Sequence, residues 1–168
     1  MVTTGLLVRR ARTADVRTVR RLIDTYTGDR ILLGKATVTL YEDVQDFWVA
    51  EEGGDVVGCG ALHVLWEDLA EVRSLAVDPA LRGHGVGGAL LDRLVELGGE
   101  LGVARIFCLT FQVHFFASRG FRVIEGTPVP PEVFEQLLQS YDEGVAEFLG
   151  LERVKPNTLG NTRMLLHL

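Results

Sequence analysis

The chain has 168 residues, 47% of them hydrophobic and 24% charged, with a formal net charge of −6 at pH 7. That length suits one domain, residues 1–168, burying roughly 70% of its unfolded surface. The acidic balance argues against a general nucleic-acid binder or a protein of anionic membranes. The longest strongly apolar run, 56–66, is about half of what a membrane span requires. Arg9, Arg10 and Arg12 are followed by no apolar h-region, so the expected location is the cytoplasm. Cys59 and Cys108 each lie in an apolar strand-like run and read as buried, unpaired thiols of a reducing compartment.

Residues 6–10 read as a short strand. Thr13 or Asp15 can cap a helix over 15–27, in which Val16, Val19, Leu22, Ile23 and Tyr26 share one apolar face and Gly28 is the expected stop. Thr37 precedes a second short helix, with Val38, Tyr41 and Val44 at helical spacing. Strands are expected at 47–51 and 56–65 around the hairpin turn Glu52-Gly53-Gly54-Asp55. Residues 66–70 lead into a strand at 71–77.

A helix follows, carrying Val86, Leu90, Leu94 and Leu97, and ends near 98–99 or 102. Next come a buried strand at 105–110, a short helix at 114–119 closed by Gly120, and a strand at 121–125. Pro131 suits the first turn of a helix over 132–141, which 142–149 extend or repeat. A loop at 155–158 and a strand at 162–168 complete the pattern. An antiparallel start followed by strand–helix–strand indicates a mixed α/β (α+β) sheet flanked by helices.

The chemistry concentrates between 71 and 91. A strand, an Asp78-Pro79 turn and Arg82 lead into glycines at 83, 85, 87 and 88, where a helix should begin. Glycine costs helix stability but admits a ligand close to the backbone, and free N–H groups at a helix start hold anions. A nucleotide P-loop needs Lys followed by Ser or Thr after the last glycine, whereas Ala89 and Leu90 follow here. A dinucleotide fingerprint is formally present as Gly83, Gly85 and Gly88. It should follow directly on a strand and be answered by an acidic residue ending the next one. Here 78–82 intervene, and the next strand ends in Leu109-Thr110.

Arg82-Gly83-His84-Gly85-Val86-Gly87 fits Arg/Gln-x-x-Gly-x-Gly/Ala, and Phe115-Phe116-Ala117-Ser118-Arg119-Gly120-Phe121 follows downstream. Together these resemble the GCN5-related N-acetyltransferases (GNAT family), in which the loop amides bind the pyrophosphate of acetyl-CoA. The resemblance implies a fold with splayed central strands, 71–77 and 105–110, and a cofactor site of Leu75, Ala76, Val77, Arg82, Gly83, His84, Gly85, Val86, Gly87 and Phe116. Backbone groups of 75–77 would hold the pantetheine arm, and an N–H near Leu75 would stabilise the thioester oxyanion.

Amine acetylation needs a base to take a proton from an ammonium, and Glu71 at the start of the cofactor strand is the candidate. Thr110, ending the next strand, could position the amine or a water. Residues 31–33, 39–41, 47–50, 59–62, 70–77, 107–110 and 120–121 also resemble the acetyltransferase domain of the N-acetylglutamate synthase family. That resemblance implies transfer to the α-amine of L-glutamate, the first step of arginine biosynthesis, with Glu71 and Thr110 as catalytic residues. Two carboxylates call for cationic or amide donors, and the matching positions suggest Lys35, Arg73, Ser74, Asn157 and Arg163.

Gly160 stands where the long forms of that family have an arginine. Phe116 replaces a tyrosine that elsewhere protonates the leaving thiolate. The resemblance does not extend to the amino-acid-kinase domain that carries arginine feedback in the long forms, so any regulation is expected to use this domain or its oligomer. The rival expectations are another acceptor (glutamine, another amino acid, an antibiotic or a protein N-terminus) and a non-catalytic acyl-CoA sensor. His63, His84, His114 and His167 show no metal-ligand spacing, and no metal is expected. A homodimer through C-terminal strands or helices is common in such folds.

Overall fold

The computed structural model describes residues 5–27, 36–150 and 161–168. Its strands are Leu6–Arg10 (β1), Phe47–Glu52 (β2), Asp55–Trp66 (β3), Leu69–Val77 (β4), Arg105–Thr110 (β5), Arg122–Val123 (β6) and Thr162–His167 (β7). Its α-helices are Val16–Thr27 (α1), Thr37–Glu42 (α2), Val86–Leu101 (α3), Val113–Ala117 (α4), Pro131–Leu137 (α5) and Glu143–Leu149 (α6). The strands form a mixed sheet in the order β1-β2-β3-β4-β5-β7-β6. β4 and β5 run parallel, while β1–β2, β2–β3, β5–β7 and β6–β7 are antiparallel. Two compact units compose the chain: residues 1–63 with 72–100, and residues 64–71 with 101–168.

In the first unit the apolar face of α1 is buried as its spacing predicts. Val16, Val19, Leu22, Ile23 and Tyr26 pack with Leu40, Phe47, Val49, Cys59, Ala61 and Ala76. A short 3-10 turn, Thr13–Asp15, precedes α1, and its N-cap is Arg12 rather than Thr13 or Asp15. Asp15 instead reaches back from the third position, accepting a 2.7 Å bond from the Arg12 N–H. The Arg9 guanidinium donates to the same carboxylate at 2.8 Å and, chiefly through that hydrogen bond, holds it below the ordinary carboxylate range.

The expected apolar positions of α2 are corrected in part. Leu40 is its buried residue, Val38 and Tyr41 are exposed, and Val44 lies beyond the helix, packed partly against the core. With two helical turns at most, α2 buries only the residue its neighbours can cover. Gly53 and Gly54 have φ of 59° and 88°, the left-handed pair a two-residue hairpin requires. Gly58 and Gly60 stand two apart on β3, hence on one face. A Cβ on Gly58 would meet Leu90 and Val86 at 2.9 Å, and one on Gly60 would meet Leu75 at 2.9 Å and Leu94 at 3.0 Å. The two glycines therefore let α3 lie directly on β3.

The second unit has its own core of Leu65, Leu69, Phe107, Leu137, Val145, Phe148, Leu149 and Leu165. Here β4 starts at Leu69, two residues earlier than expected, and pairs in parallel with β5 through Leu69↔Arg105, Ala70↔Ile106 and Glu71↔Phe107. β5 continues to Thr110, which pairs with Thr162 of β7. The strand expected at 121–125 shrinks to Arg122–Val123, exposed at both positions; after Ile124 bonds the Arg163 carbonyl, Gly126 turns the chain at φ 72°. α5 stops at Leu137 instead of reaching 141, and α6 is separate. The Asp142 side chain caps α6 by accepting from Val145 N–H at 3.1 Å, and Gly150 ends it in the left-handed conformation.

Candidate active site

The glycine-rich loop lies in the first unit. Asp78 follows β4, its N–H bonded to the Val57 carbonyl at 2.8 Å, and its carboxylate accepts from Ala80 N–H at 3.0 Å to start the turn Pro79–Leu81. Gly83 and Gly85 have φ of 81° and 84°, a region that L-residues enter at a cost. α3 begins at Val86, and the Gly85 carbonyl accepts from Ala89 N–H at 3.0 Å, which makes Gly85 the capping residue. The N–H groups of Gly83, Gly85, Val86 and Gly87 have no hydrogen-bond partner among the described residues. Four free donors at the start of a sixteen-residue helix form an anion cradle. The His84 amide, expected to join them, donates to Leu81 O at 3.2 Å within the turn.

Arg82 at the mouth of the loop is exposed, but its guanidinium is held. Nε donates to the Tyr26 hydroxyl at 3.3 Å, and Cζ lies 5.0 Å from the centre of the Tyr26 ring. The same hydroxyl donates to the carbonyl of Val77. Tyr26 was read from sequence only as part of an apolar face; helical periodicity carries no information about where a hydroxyl will bond.

Ser74 has φ 56°, alone among the described non-glycine residues in the left-handed region. It lies within β4 next to Arg73 and just before Leu75, Ala76 and Val77, the residues expected to meet a substrate arm through their backbones. The Cys59 thiol donates to the Ser74 carbonyl at 3.4 Å from beneath. Burial pushes that thiol up to about 12. No pattern in the sequence marks Ser74, since serine has no particular claim to positive φ.

The second unit holds Glu71, Thr110, Phe116 and Arg163. Glu71 is 3% exposed, so it is a buried carboxylate and not a solvated strand end. Cys108 has a thiol pKa raised by burial and further by the negative charge of Glu71. Neither cysteine is therefore a thiolate at neutral pH, and neither suits a covalent acyl carrier. The Thr110 hydroxyl is buried and accepts from Gln112 N–H at 2.7 Å, leaving its own proton to donate. Phe116 packs edge-on against Phe115 and Phe121, with ring centres 5.2 and 5.1 Å away. It has no proton to give a leaving group.

Arg163 is engaged with the backbone. Its Nη atoms donate to Gly126 O at 2.9 Å and to Phe148 O, and its Cζ lies 5.8 Å from the Phe107 ring. Burial lowers its pKa. Two buried polar atoms on β7 and just before it, Arg163 Nε and Asn161 Oδ1, have no partner among the described residues. Lys35 and Asn157, expected to contact an acceptor, lie outside the described residues. No cluster of three or more His, Cys, Asp or Glu side chains suited to a metal occurs among the described residues. None of their helices is long and apolar enough to cross a membrane.

Comparison with known proteins bears on this arrangement. Residues 18–121 match the family model described as the Acetyltransferase (GNAT) family, and they include β4, the loop and α3. An amino-acid acetyltransferase of Mycobacterium tuberculosis (strain ATCC 25618 / H37Rv) is 61% identical over 163 residues, covering 95% of this chain and 93% of that protein. An amino-acid acetyltransferase of Aeromonas salmonicida (strain A449) is 31% identical over 126 residues, 74% of this chain but 28% of that longer protein.

Among solved structures, Rv2747 from Mycobacterium tuberculosis, in complex with CoA and NLQ, superposes with a TM-score of 0.92 at 61% identity. The match covers 96% of this chain and 99% of that one. The N-acetylglutamate synthase of Neisseria gonorrhoeae, complexed with coenzyme A and N-acetyl-glutamate, gives 0.78 at 22% identity, over 99% of this chain and 36% of that one. At that identity the likeness speaks for the fold alone. With a family match over most of its length and a near-full-length relative at high identity, the chain belongs to the acetyltransferase (GNAT) family.

Proposed function

We propose that this protein transfers the acetyl group of acetyl-CoA to the α-amino group of L-glutamate, in the cytoplasm, as the first step of arginine biosynthesis. One observation carries the amino-acid part of this reading: near-full-length identity of 61% to a protein named amino-acid acetyltransferase. The choice of glutamate rests on the resemblance to the N-acetylglutamate synthase family, with Lys35, Arg73, Ser74, Asn157 and Arg163 as its contacts. The free amides of Gly83, Gly85, Val86 and Gly87 support acetyl-CoA as the donor, since four N–H groups and Arg82 suit a diphosphate.

Acetyl-CoA supplies an activated acyl group, whose C–S bond breaks as the new C–N bond forms in a ternary complex. Glu71 takes the proton that the ammonium must lose before its nitrogen can attack. Thr110, with a hydroxyl proton still to donate, orients the amine or an intervening water. A backbone N–H near Leu75, beside the left-handed Ser74, stabilises the developing oxyanion, a contact worth roughly 3 kcal/mol in such sites. Phe116 offers no proton, so CoA leaves as a thiolate, and the second proton that the nitrogen sheds on becoming an amide passes to that thiolate directly or through water.

Release of CoA thiol on mixing the protein with acetyl-CoA and a panel of amines tests the reading. The panel holds glutamate, glutamine, other amino acids, an aminoglycoside and a peptide N-terminus. Glutamate should give the fastest release. Release with a different amine only would replace the acceptor, and none with any amine would favour a non-catalytic acyl-CoA-binding protein.

A further inference from the structure

We propose that Tyr26 is a positioning residue of the acetyl-CoA site, holding Arg82 and the end of β4 in the geometry that receives the diphosphate; this rests on the donor assigned above. Three contacts converge on this one side chain of α1. Its hydroxyl donates to Val77 O, accepts from Arg82 Nε at 3.3 Å, and its ring lies 5.0 Å from Arg82 Cζ. The hydroxyl's single proton goes to Val77 and one of its lone pairs to Arg82, so its polarity is matched on both sides.

Val77 is the last residue of β4 and Arg82 opens the glycine loop, with the 3-10 turn Pro79–Leu81 between them. Tyr26 therefore ties the two ends of that turn together across a 51-residue separation from Val77. Arg82 is exposed, and a free arginine samples many rotamers before it meets an anion. Among the described residues it has no carboxylate partner; its fixed bond is through Nε. That leaves both Nη groups, four N–H donors in a planar fork, to a phosphate, with rotamer freedom already reduced. Tyr26 itself is 8% exposed and locked in the core among Val19, Leu22, Ile23 and Ala76, so its hydroxyl is a rigid anchor.

Calorimetric binding of acetyl-CoA, with initial-rate kinetics, tests the role in wild type, Tyr26→Phe, Arg82→Ala and the double variant. Tyr26→Phe keeps the ring but removes the hydroxyl. It should raise the Kd and KM for acetyl-CoA roughly tenfold, with kcat at saturating acetyl-CoA within about twofold of wild type. The double variant should bind no more weakly than Arg82→Ala alone, because Tyr26 acts through Arg82. Should Tyr26→Phe fail to fold, Arg82→Lys at the exposed position answers the same question. It keeps the charge, loses the Nε–H held by Tyr26, and should show a similar loss. Wild-type affinity in Tyr26→Phe or in Arg82→Lys, or additive losses in the double variant, would overturn the role. A wild-type protein that binds no acetyl-CoA would overturn the functional reading, and this role with it.

Discussion

In the proposed mechanism, main chain carries the chemistry of the loop from Arg82 to Gly87, whereas a side-chain carboxylate carries that of β4 at Glu71. In the loop, two residues at φ of 81° and 84° release four N–H groups at the start of α3. At Glu71 the backbone is ordinary parallel strand, paired with Phe107, and the carboxylate is buried beside Cys108. A main-chain site depends on conformation and on what lets the elements approach. A side-chain site depends on one functional group and tolerates small changes in its support. The two should therefore fail differently under substitution.

The largest expected effect is at the side-chain site. Glu71→Gln keeps shape and removes the proposed base, so kcat should fall about a hundredfold or more while acetyl-CoA affinity stays near wild type. A variant with unchanged turnover across neutral pH would remove Glu71 from the mechanism. Next comes the packing that seats the loop. Gly58→Ala would place a methyl 2.9 Å from Leu90 and Val86 and 3.4 Å from the Ala76 carbonyl. We expect a loss of about 1–3 kcal/mol in denaturant unfolding, with α3 displaced from β3. An unchanged midpoint would show that α3 yields freely.

Gly83→Ala isolates conformation from space, because nothing lies within 4 Å of an added Cβ while φ is 81°. It should cost about 1–2 kcal/mol, taken partly as weaker acetyl-CoA binding, with kcat little changed. Equal damage to kcat and binding would blur the contrast with Glu71.

The smallest effect concerns the two thiols, one in each unit. Both thiol pKa values are raised by burial, that of Cys108 also by Glu71. A raised thiol pKa favours the folded state below the unfolded value of 9.0 and loses that contribution as pH climbs toward the folded one, about 12 for Cys59. Stability should thus be flat in this respect below pH 9 and decline above it. A thiol reagent at pH 7.5 should find no reactive cysteine in the native protein and two after denaturation. Glu71→Gln should shift the onset of Cys108 reactivity to lower pH.

The same contrast governs what could be read before the structure. Period and motif are local, so the face of α1, the strand at 105–110 and the Arg82–Gly87 loop could all be read from neighbours in sequence. What escaped depends on partners far along the chain. The Tyr26 hydroxyl meets Val77 and Arg82, Gly58 and Gly60 make room for α3, and Ser74 turns left-handed above Cys59. The exposed side of α2 and the early end of α5 differ from what spacing suggests because a short helix buries whatever its neighbours cover. The motif places His84 among the loop donors, and its position there does not reveal that its amide closes a turn on Leu81. Of the expected acceptor contacts, Arg163 sits on backbone carbonyls, and Lys35 and Asn157 fall outside the described residues.

The central claim is transfer of acetyl to the α-nitrogen of glutamate, and carbon NMR tests it most directly. The protein is mixed with acetyl-CoA labelled with carbon-13 at the carbonyl and L-glutamate labelled with nitrogen-15. The expected result is a new amide carbonyl resonance split by the nitrogen, growing in step with the loss of the thioester signal. A thioester that persists with glutamate, or a new carbonyl without nitrogen splitting, would contradict the account.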